Sequence, residues 1–191
     1  MRVIQNATKL RLSGGRHRGR FIKTIILEGL RPTTDANRQA LFNILGDVVS
    51  GAKVADLYAG TGSFGFEALS RGADSVVFVE ANNDLCELLE KNSETLGLDG
   101  VVKIENSRLE QLSDSFWSNT SFDIIFADPP YEIFTFPCIV PIARALKDDG
   151  VLIYEYSSRN KLPDDFGGLT LVKTKVNGDT SIAFYRKKKN E

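Results

Sequence analysis

Between Lys53 and Tyr156 short apolar runs alternate with helix-period stretches, and this rhythm constrains the fold more than any other feature of the chain. The runs Val54–Leu57, Val76–Val79, Val101–Glu105, Phe122–Ala127 and Val151–Tyr156 have the length and composition of buried strands. Between them the spacing predicts helices from about Gly65 to Arg71, Asn83 to Leu96, Leu109 to Phe116 and about Pro137 to Leu146. Strands linked through helices run parallel, with the helices covering both faces of the sheet. Leu169–Val176 and Ser181–Tyr185 instead flank Asn177-Gly178-Asp179, a turn sequence, and predict an antiparallel hairpin. The expected architecture is α/β: a doubly wound, mostly parallel, seven-stranded sheet closed by a C-terminal antiparallel hairpin.

The chain upstream of this rhythm has a different character. Leu10, Leu12 and the stretch Phe21–Leu27 read as short strands around Ser13-Gly14-Gly15-Arg16-His17-Arg18-Gly19-Arg20, which gives a small β-hairpin arm over residues 1–31. Residues 32–191 then form the main domain, entered by a helix from Ala36 to about Gly46 with Thr34 or Asp35 as N-cap. The net charge of −1 conceals an uneven distribution: residues 1–31 carry +7, residues 186–191 carry +3, and the body between carries −11. A basic arm on an acidic body fits a polyanion held at one end. Arg16, Arg18, Arg20, Arg31 and Arg38 are the expected phosphate contacts, with His17 available to stack on a base. The basic tail alone reads as solvated charge.

Asp128-Pro129-Pro130-Tyr131 follows the apolar run Phe122–Ala127 directly. Two prolines remove two backbone donors and stiffen the exit from the strand, leaving the Asp128 carboxylate and the Pro129 carbonyl as acceptors with little freedom. Such a pair suits an NH2 group, and Tyr131 offers a face on which a base can stack. A plain turn has a similar composition, so the tetrapeptide needs the rest of the chain to interpret it.

Asp56-Leu57-Tyr58-Ala59-Gly60-Thr61-Gly62-Ser63-Phe64-Gly65 opens a helix directly after the first strand of the rhythm, and Glu80 ends the next strand. Residues 60–65 satisfy the G-x-G-x-x-G pattern, which raises a dinucleotide oxidoreductase as a reading. Asp56 opposes it: a carboxylate there repels a pyrophosphate and attracts the ammonium of a methionine moiety. S-adenosylmethionine carries a sulfonium and no phosphate, and needs the glycines only for close approach. Glu80 can then accept from the ribose hydroxyls, with Tyr58 and Ala81 beside the ligand and Asn106-Ser107-Arg108 near the adenine edge. All these positions fall at carboxyl ends of strands, where open α/β sheets bind ligands.

Other chemistries find little support. Two cysteines, Cys86 and Cys138, have no C-x-x-C spacing and His17 is the lone histidine, so no metal site or disulfide framework is expected, only buried thiols. No apolar run reaches membrane-spanning length and Met1-Arg2-Val3-Ile4-Gln5-Asn6 lacks a signal-peptide core, so a cytoplasmic protein is expected.

Taken together, D-L-Y-A-G-T-G-S-F-G, V-F-V-E and D-P-P-Y resemble the Rossmann-like class I S-adenosylmethionine-dependent methyltransferases that act on exocyclic amino groups. G-G-R-H-R-G-R (14–20), L-R-P-T-T-D-A-N-R-Q-A-L-F-N-I-L (30–45) and E-A-L-S-R-G-A (67–73) resemble, more narrowly, the bacterial 16S ribosomal RNA guanine-966 N2-methyltransferase (RsmD) family. The resemblance runs from about Leu10 to Tyr185. It implies a monomeric enzyme with Asp128, Pro129, Pro130 and Tyr131 at the target base and 16S rRNA as partner, within the 30S subunit or its late assembly particle. Two positions depart from the pattern: Ser107 stands where Asp or Asn is usual, and His17 where a ring such as Trp is expected. The alternatives are a DNA adenine-N6 or cytosine-N4 methyltransferase, a protein-glutamine methyltransferase, and a non-catalytic RNA-binding module that retains the fold.

Overall fold

The computed structural model describes residues 3–27, 35–130 and 139–187. Strands β1 (Val3–Arg11) and β2 (Phe21–Leu27) form an antiparallel pair in which Leu10 faces Ile22 and Arg11 faces Phe21. The arm is longer than its apolar residues predict, because β1 continues back through a polar stretch to Val3. It is also packed onto the body. Leu12 and Ile22 are buried in the same cluster as Leu41 and Phe42 of α1 (Asp35–Leu45).

The main sheet follows the expected rhythm. β3 (Lys53–Leu57), α2 (Ser63–Ser70), β4 (Ser75–Glu80), α3 (Asn83–Leu96), β5 (Val102–Asn106), α4 (Asp114–Ser118), β6 (Phe122–Ala127), α5 (Ile139–Ala145) and β7 (Leu146–Ser157) succeed one another. β8 (Asp165–Phe166), β9 (Leu169–Asn177) and β10 (Thr180–Lys187) complete it in the order β5-β4-β3-β6-β7-β10-β9-β8. β3 to β7 run parallel, and β10 enters antiparallel between β7 and β9. The two-residue β8 adds an edge beyond the seven expected strands. One expected helix is divided: a single 3-10 turn at Leu109–Gln111 stops at Leu112, and α4 starts afresh because Ser113 caps it, its hydroxyl accepting from the Phe116 N–H. Among the described residues no helix is long and apolar enough to cross a membrane.

The strand period of two divides the core into two layers. Val54, Val76, Phe78, Ile124, Phe126, Val151 and Ile153 point to the face covered by α1, α2 and the arm. Ala55, Leu57, Val79, Ile125, Ala127, Leu152 and Tyr154 point to the other. The chain leaves β3 for β4 and β5 on one side, then returns to β6 on the other, so a crevice opens at the carboxyl ends of β3 and β6. On β6 and β7 the register ends with Ala127 beside Tyr154. Leu57 pairs with both Ala127 and Val79, so these four residues form the last full row before the crevice.

Candidate active site and nucleic-acid interface

One step beyond that row lie Tyr58, Glu80, Asp128 and Glu155. The strand period sends Glu80, Asp128 and Glu155, and Asp56 one step below the row, to the face of the sheet that carries the arm. Four adjacent strands therefore present four carboxyl groups at one rim.

The glycine loop is held by two of these acids. Asp56 is 3% exposed and accepts from the Gly65 N–H at 2.9 Å, which ties the first turn of α2 back to β3. Glu80 accepts from the Gly60 N–H at 2.8 Å and from the Asn82 N–H at 2.9 Å, one bond to each oxygen. Each carboxylate oxygen has a second lone pair, so Glu80 retains acceptor capacity for two hydroxyls. Gly65 lets α2 sit directly on β4: a Cβ there would lie 2.2 Å from the Phe78 ring. Gly62 heads α2 in a left-handed conformation, and Gly60 has open space around its Cβ direction apart from the Tyr58 carbonyl at 4.0 Å. Tyr58 itself has φ 58°, a rare conformation for a side-chain-bearing residue, and its hydroxyl donates to Glu110 at 3.4 Å. Ala81 is exposed at the rim. The Ser107 N–H donates to the Glu80 carbonyl at 3.0 Å, which brings the turn after β5 beside the loop, while the Ser107 hydroxyl donates to the Arg108 carbonyl. The buried Cys86 thiol, pushed up to about 11 by burial and by Glu80 and Glu90, donates to the same Glu80 carbonyl.

The rim is electrostatically under-compensated. Burial pushes Asp56 up to about 8; the Gly65 hydrogen bond opposes this, and Asp128 and Glu80 add to it. Burial pushes Asp128 up to about 6. Glu155 rises to about 8 through burial and the charge of Asp128. Its Oε2 is buried with no hydrogen-bond partner among the described residues. Such a rim favours a bound cation and donor-rich ligands, and disfavours phosphate. The residues thus fit an ammonium- and sulfonium-bearing cofactor better than a dinucleotide. Pro129 is buried and Pro130 exposed; Tyr131 lies outside the described residues.

The interface residues divide sharply. Arg16 and Arg18 are exposed. Arg20 is exposed too, but donates to the Thr95 and Leu96 carbonyls at 2.6 and 3.5 Å, capping the end of α3. His17 lies 3.3 Å from Arg20 through Nδ1; burial, then Arg20 and Arg16, hold its pKa below the ordinary value, so it is neutral at physiological pH. Arg31 lies outside the described residues. Arg38 corrects the expectation of a phosphate contact. It is 0% exposed and donates to the Arg11 carbonyl at 2.8 Å, to Asp35 at 2.9 Å and to Glu67 at 3.4 Å, so no phosphate reaches it.

What the sequence reading missed is the joint that fixes the arm. Glu67, buried in α2, accepts from the Ser13 N–H at 2.9 Å, the Ser13 hydroxyl at 2.7 Å and Arg71 at 2.7 Å, besides Arg38. Burial alone raises its pKa, but these donors outweigh it and hold the carboxyl below its ordinary value. The Arg16 and His17 N–H groups donate to the Ser70 carbonyl and hydroxyl, and the Ser70 hydroxyl donates to the Gly14 carbonyl. Gly15 has φ +72°, and a Cβ there would collide with the Ser70 carbonyl at 1.7 Å. Asn92 of α3 clamps β2 by accepting from the Lys23 N–H and donating to its carbonyl. The signal for the joint was a glutamate inside the apolar helix sequence Phe64-Gly65-Phe66-Glu67-Ala68-Leu69.

Comparison with known proteins identifies the family and the fold. A family model described as "Conserved hypothetical protein 95" matches residues 10–186. Ribosomal RNA small subunit methyltransferase D of Escherichia coli (strain K12) is 30% identical over 182 residues, spanning 94% of this chain and 90% of its own. The protein of that name from Haemophilus influenzae is 33% identical over 186 residues, covering 93% and 94%. The solved structure of the Escherichia coli protein yhhF matches with a TM-score of 0.80 at 33% identity, over 94% of this chain and 98% of that one. The Thermus thermophilus 16S rRNA N2 G1207 methyltransferase, solved with AdoMet and guanosine, shares the fold, with a TM-score of 0.69 at 24% identity over 96% of this chain and 50% of that one.

Proposed function

The chain belongs to the conserved hypothetical protein 95 family together with the small-subunit ribosomal RNA methyltransferase D proteins, and from that premise we propose that it methylates the exocyclic N2 of a guanine in 16S rRNA. S-adenosylmethionine is the cofactor. The observation that carries the reading is Asp128 at the carboxyl end of β6, next to the glycine loop, on the same sheet face as an arm bearing exposed Arg16 and Arg18.

When bound, the cofactor supplies a methyl group already activated by a sulfonium. This chain's residues then have to position and protect. Glu80 holds the ribose through its free lone pairs, and Ser107 or its backbone meets the adenine. Asp128 and the Pro129 carbonyl accept the two N2 hydrogens and set the amine in line for attack, which is chiefly catalysis by orientation. Guanine N2 is a weak nucleophile because its lone pair is shared with the ring. An ionised Asp128 would stabilise the positive charge that develops on nitrogen as its pair forms the new N–C bond and the C–S bond breaks to leave a thioether, after which N2 sheds one proton to solvent. The target base must leave its stack, and Tyr131 is the residue expected to receive it. Arg16 and Arg18 grip the phosphate backbone of the 30S subunit or its late assembly particle, with residues 1–31 as the RNA-contact arm and 32–191 as the catalytic domain, in a monomer.

The test is transfer of radiolabelled methyl from S-adenosylmethionine to 30S particles lacking the modification, with naked 16S RNA and duplex DNA in parallel. Label is expected as N2-methylguanosine, mainly in particles. Asp128→Ala is expected to cut the rate by at least roughly 100-fold while cofactor affinity stays nearly unchanged. Label in DNA, or equal loss of rate and cofactor affinity, refutes the reading.

A further inference from the structure

Methyl transfer as described engages Glu80 and Asp128 of the rim and leaves Glu155 without a task. Glu155 stands on β7, one step past the registered pair Ala127 and Tyr154, so it is the strand neighbour of Asp128 and projects to the same face. On its other side β10 presents Ile182, which offers a carboxylate no side-chain donor. Its Oε2 is buried and has no hydrogen-bond partner among the described residues. Leaving a buried acceptor unsatisfied is costly, and a strand packed between two others cannot turn the side chain away cheaply. Glu67 shows that this fold supplies partners for a buried acid where it needs them. At Glu155 a ligand entering the crevice can supply the donor that the described residues do not.

The position of Glu155 says which donor. Asp128 and the Pro129 carbonyl are acceptors for the hydrogens of an amino group, and Glu155 lies next to Asp128 along the same rim. With Glu155 ionised, the rim is acceptor-only over a width greater than one NH2. Guanine alone among the amino-bearing bases matches it, because beside its N2 amine stands N1–H, a second donor on the same edge. Adenine carries N1, and cytosine N3, as bare acceptors beside their amines. Either would set a lone pair against the Glu155 carboxylate.

We propose that Glu155 is a specificity-determining residue that accepts the N1–H of the target guanine and thereby excludes adenine and cytosine from a site whose Asp-Pro-Pro-Tyr motif serves all three. The inference rests on the guanine-N2 reading above. Burial and the Asp128 charge raise Glu155 to about 8 in the ligand-free protein, and a donor arriving at Oε2 favours the ionised form again. The neutral acid would behave differently, since its O–H could donate to an N1 acceptor. Glu155→Gln reproduces that neutral donor permanently.

The experiment compares single-turnover methyl transfer to reconstituted 30S particles carrying either guanine or 2-aminopurine at the target position. 2-Aminopurine keeps the C2 amine but has N1 as an acceptor. The wild-type enzyme is expected to prefer guanine strongly, and Glu155→Gln is expected to reduce the guanine to 2-aminopurine rate ratio by roughly 30- to 100-fold. Both rates come from one preparation, so partial misfolding cancels in the ratio. An unchanged ratio, or loss of transfer to both bases alike, overturns the role of Glu155 while the guanine-N2 reading stands. A wild-type enzyme that labels neither base overturns both.

Discussion

Two groups of buried or half-buried carboxyls, on the same side of the same sheet, are treated in opposite ways. At the arm joint, Glu67 is surrounded by Ser13, Arg38 and Arg71 and its pKa lies below the ordinary value. At the strand rim, Asp56, Asp128 and Glu155 are pushed up to about 8, 6 and 8, and the Glu155 Oε2 has no described partner. Both groups bear the cost of desolvation; the Glu67 carboxyl is compensated from within the chain and the rim carboxyls are not, although Nη1 of Arg38 beside Glu67 has no hydrogen-bond partner among the described residues. A compensated buried acid holds structure together, whereas an under-compensated set at strand ends is poised for something that arrives from outside. The arginines expected at phosphate divide likewise: Arg38 of α1 is consumed by the joint, and Arg16 and Arg18 of the arm are left exposed.

The largest effect should come from breaking the compensated side. Glu67→Gln keeps the shape but leaves Arg71 without its counter-charge and the fully buried Arg38 with Asp35 alone. A loss of roughly 3–5 kcal/mol is expected, read as a lowered urea midpoint, with the 13–20 loop becoming the first site of tryptic cleavage. Glu67 has a depressed folded pKa, so its stabilisation is present at neutral pH and disappears as pH falls through that lowered value. An unchanged urea midpoint at neutral pH would mean that Glu67 does not carry the joint.

The rim should show the opposite pH slope. Asp56 has a raised folded pKa, so its favourable contribution is complete below its unfolded value near 3.8 and is lost as pH rises toward about 8. Asp56→Asn can still accept from the Gly65 N–H but never ionises. The ligand-free variant should therefore gain stability over wild type as pH climbs from 4 to 8, by on the order of 2 kcal/mol or about 5 °C in Tm at the upper end. Saturating S-adenosylmethionine should flatten this slope in the wild type, because its cationic groups compensate the rim. A Tm difference between variant and wild type that does not change with pH would remove the contrast with Glu67.

The sequence revealed one side of this comparison far better than the other, for a physical reason. Strand ends, the glycine loop and Asp128-Pro129-Pro130 are local: their meaning depends on residues a few positions away and on where an apolar run stops. Asp56, Gly60, Gly65, Glu80 and Asp128 converge because consecutive parallel strands end at one edge. The joint is not local. Glu67 meets Ser13 across 54 residues, and Asn92 meets Lys23 across 69, so no spacing rule could pair them. Arg38 was misread because a helix-borne arginine near a basic arm looks free until its neighbours close over it. Glu155 was overlooked inside Val151-Leu152-Ile153-Tyr154-Glu155-Tyr156, taken whole as an apolar strand, although an acid at the inward period of such a run is itself a signal. The divided helix at Leu112 was hidden in the same manner, because Ser113 reads equally as helix interior and as N-cap.

The smallest effects belong to the arginines that the joint leaves over, and they sharpen the comparison without disturbing the fold. Arg16 and Arg18 hang from a loop whose backbone is fixed by Ser70 and Glu67, so truncating their side chains leaves the clamp in place. Arg16→Ala and Arg18→Ala should therefore match wild type in Tm and in S-adenosylmethionine affinity. Each phosphate contact removed also removes a released counterion, so each variant should lower the slope of log affinity for 30S particles against log salt by about one. Arg20→Ala should behave differently, because Arg20 spends its donors on the end of α3 and its loss costs stability as well as charge. Salt slopes unaltered in Arg16→Ala and Arg18→Ala would assign the arm's charge to solvation alone and move the RNA contact elsewhere on the molecule.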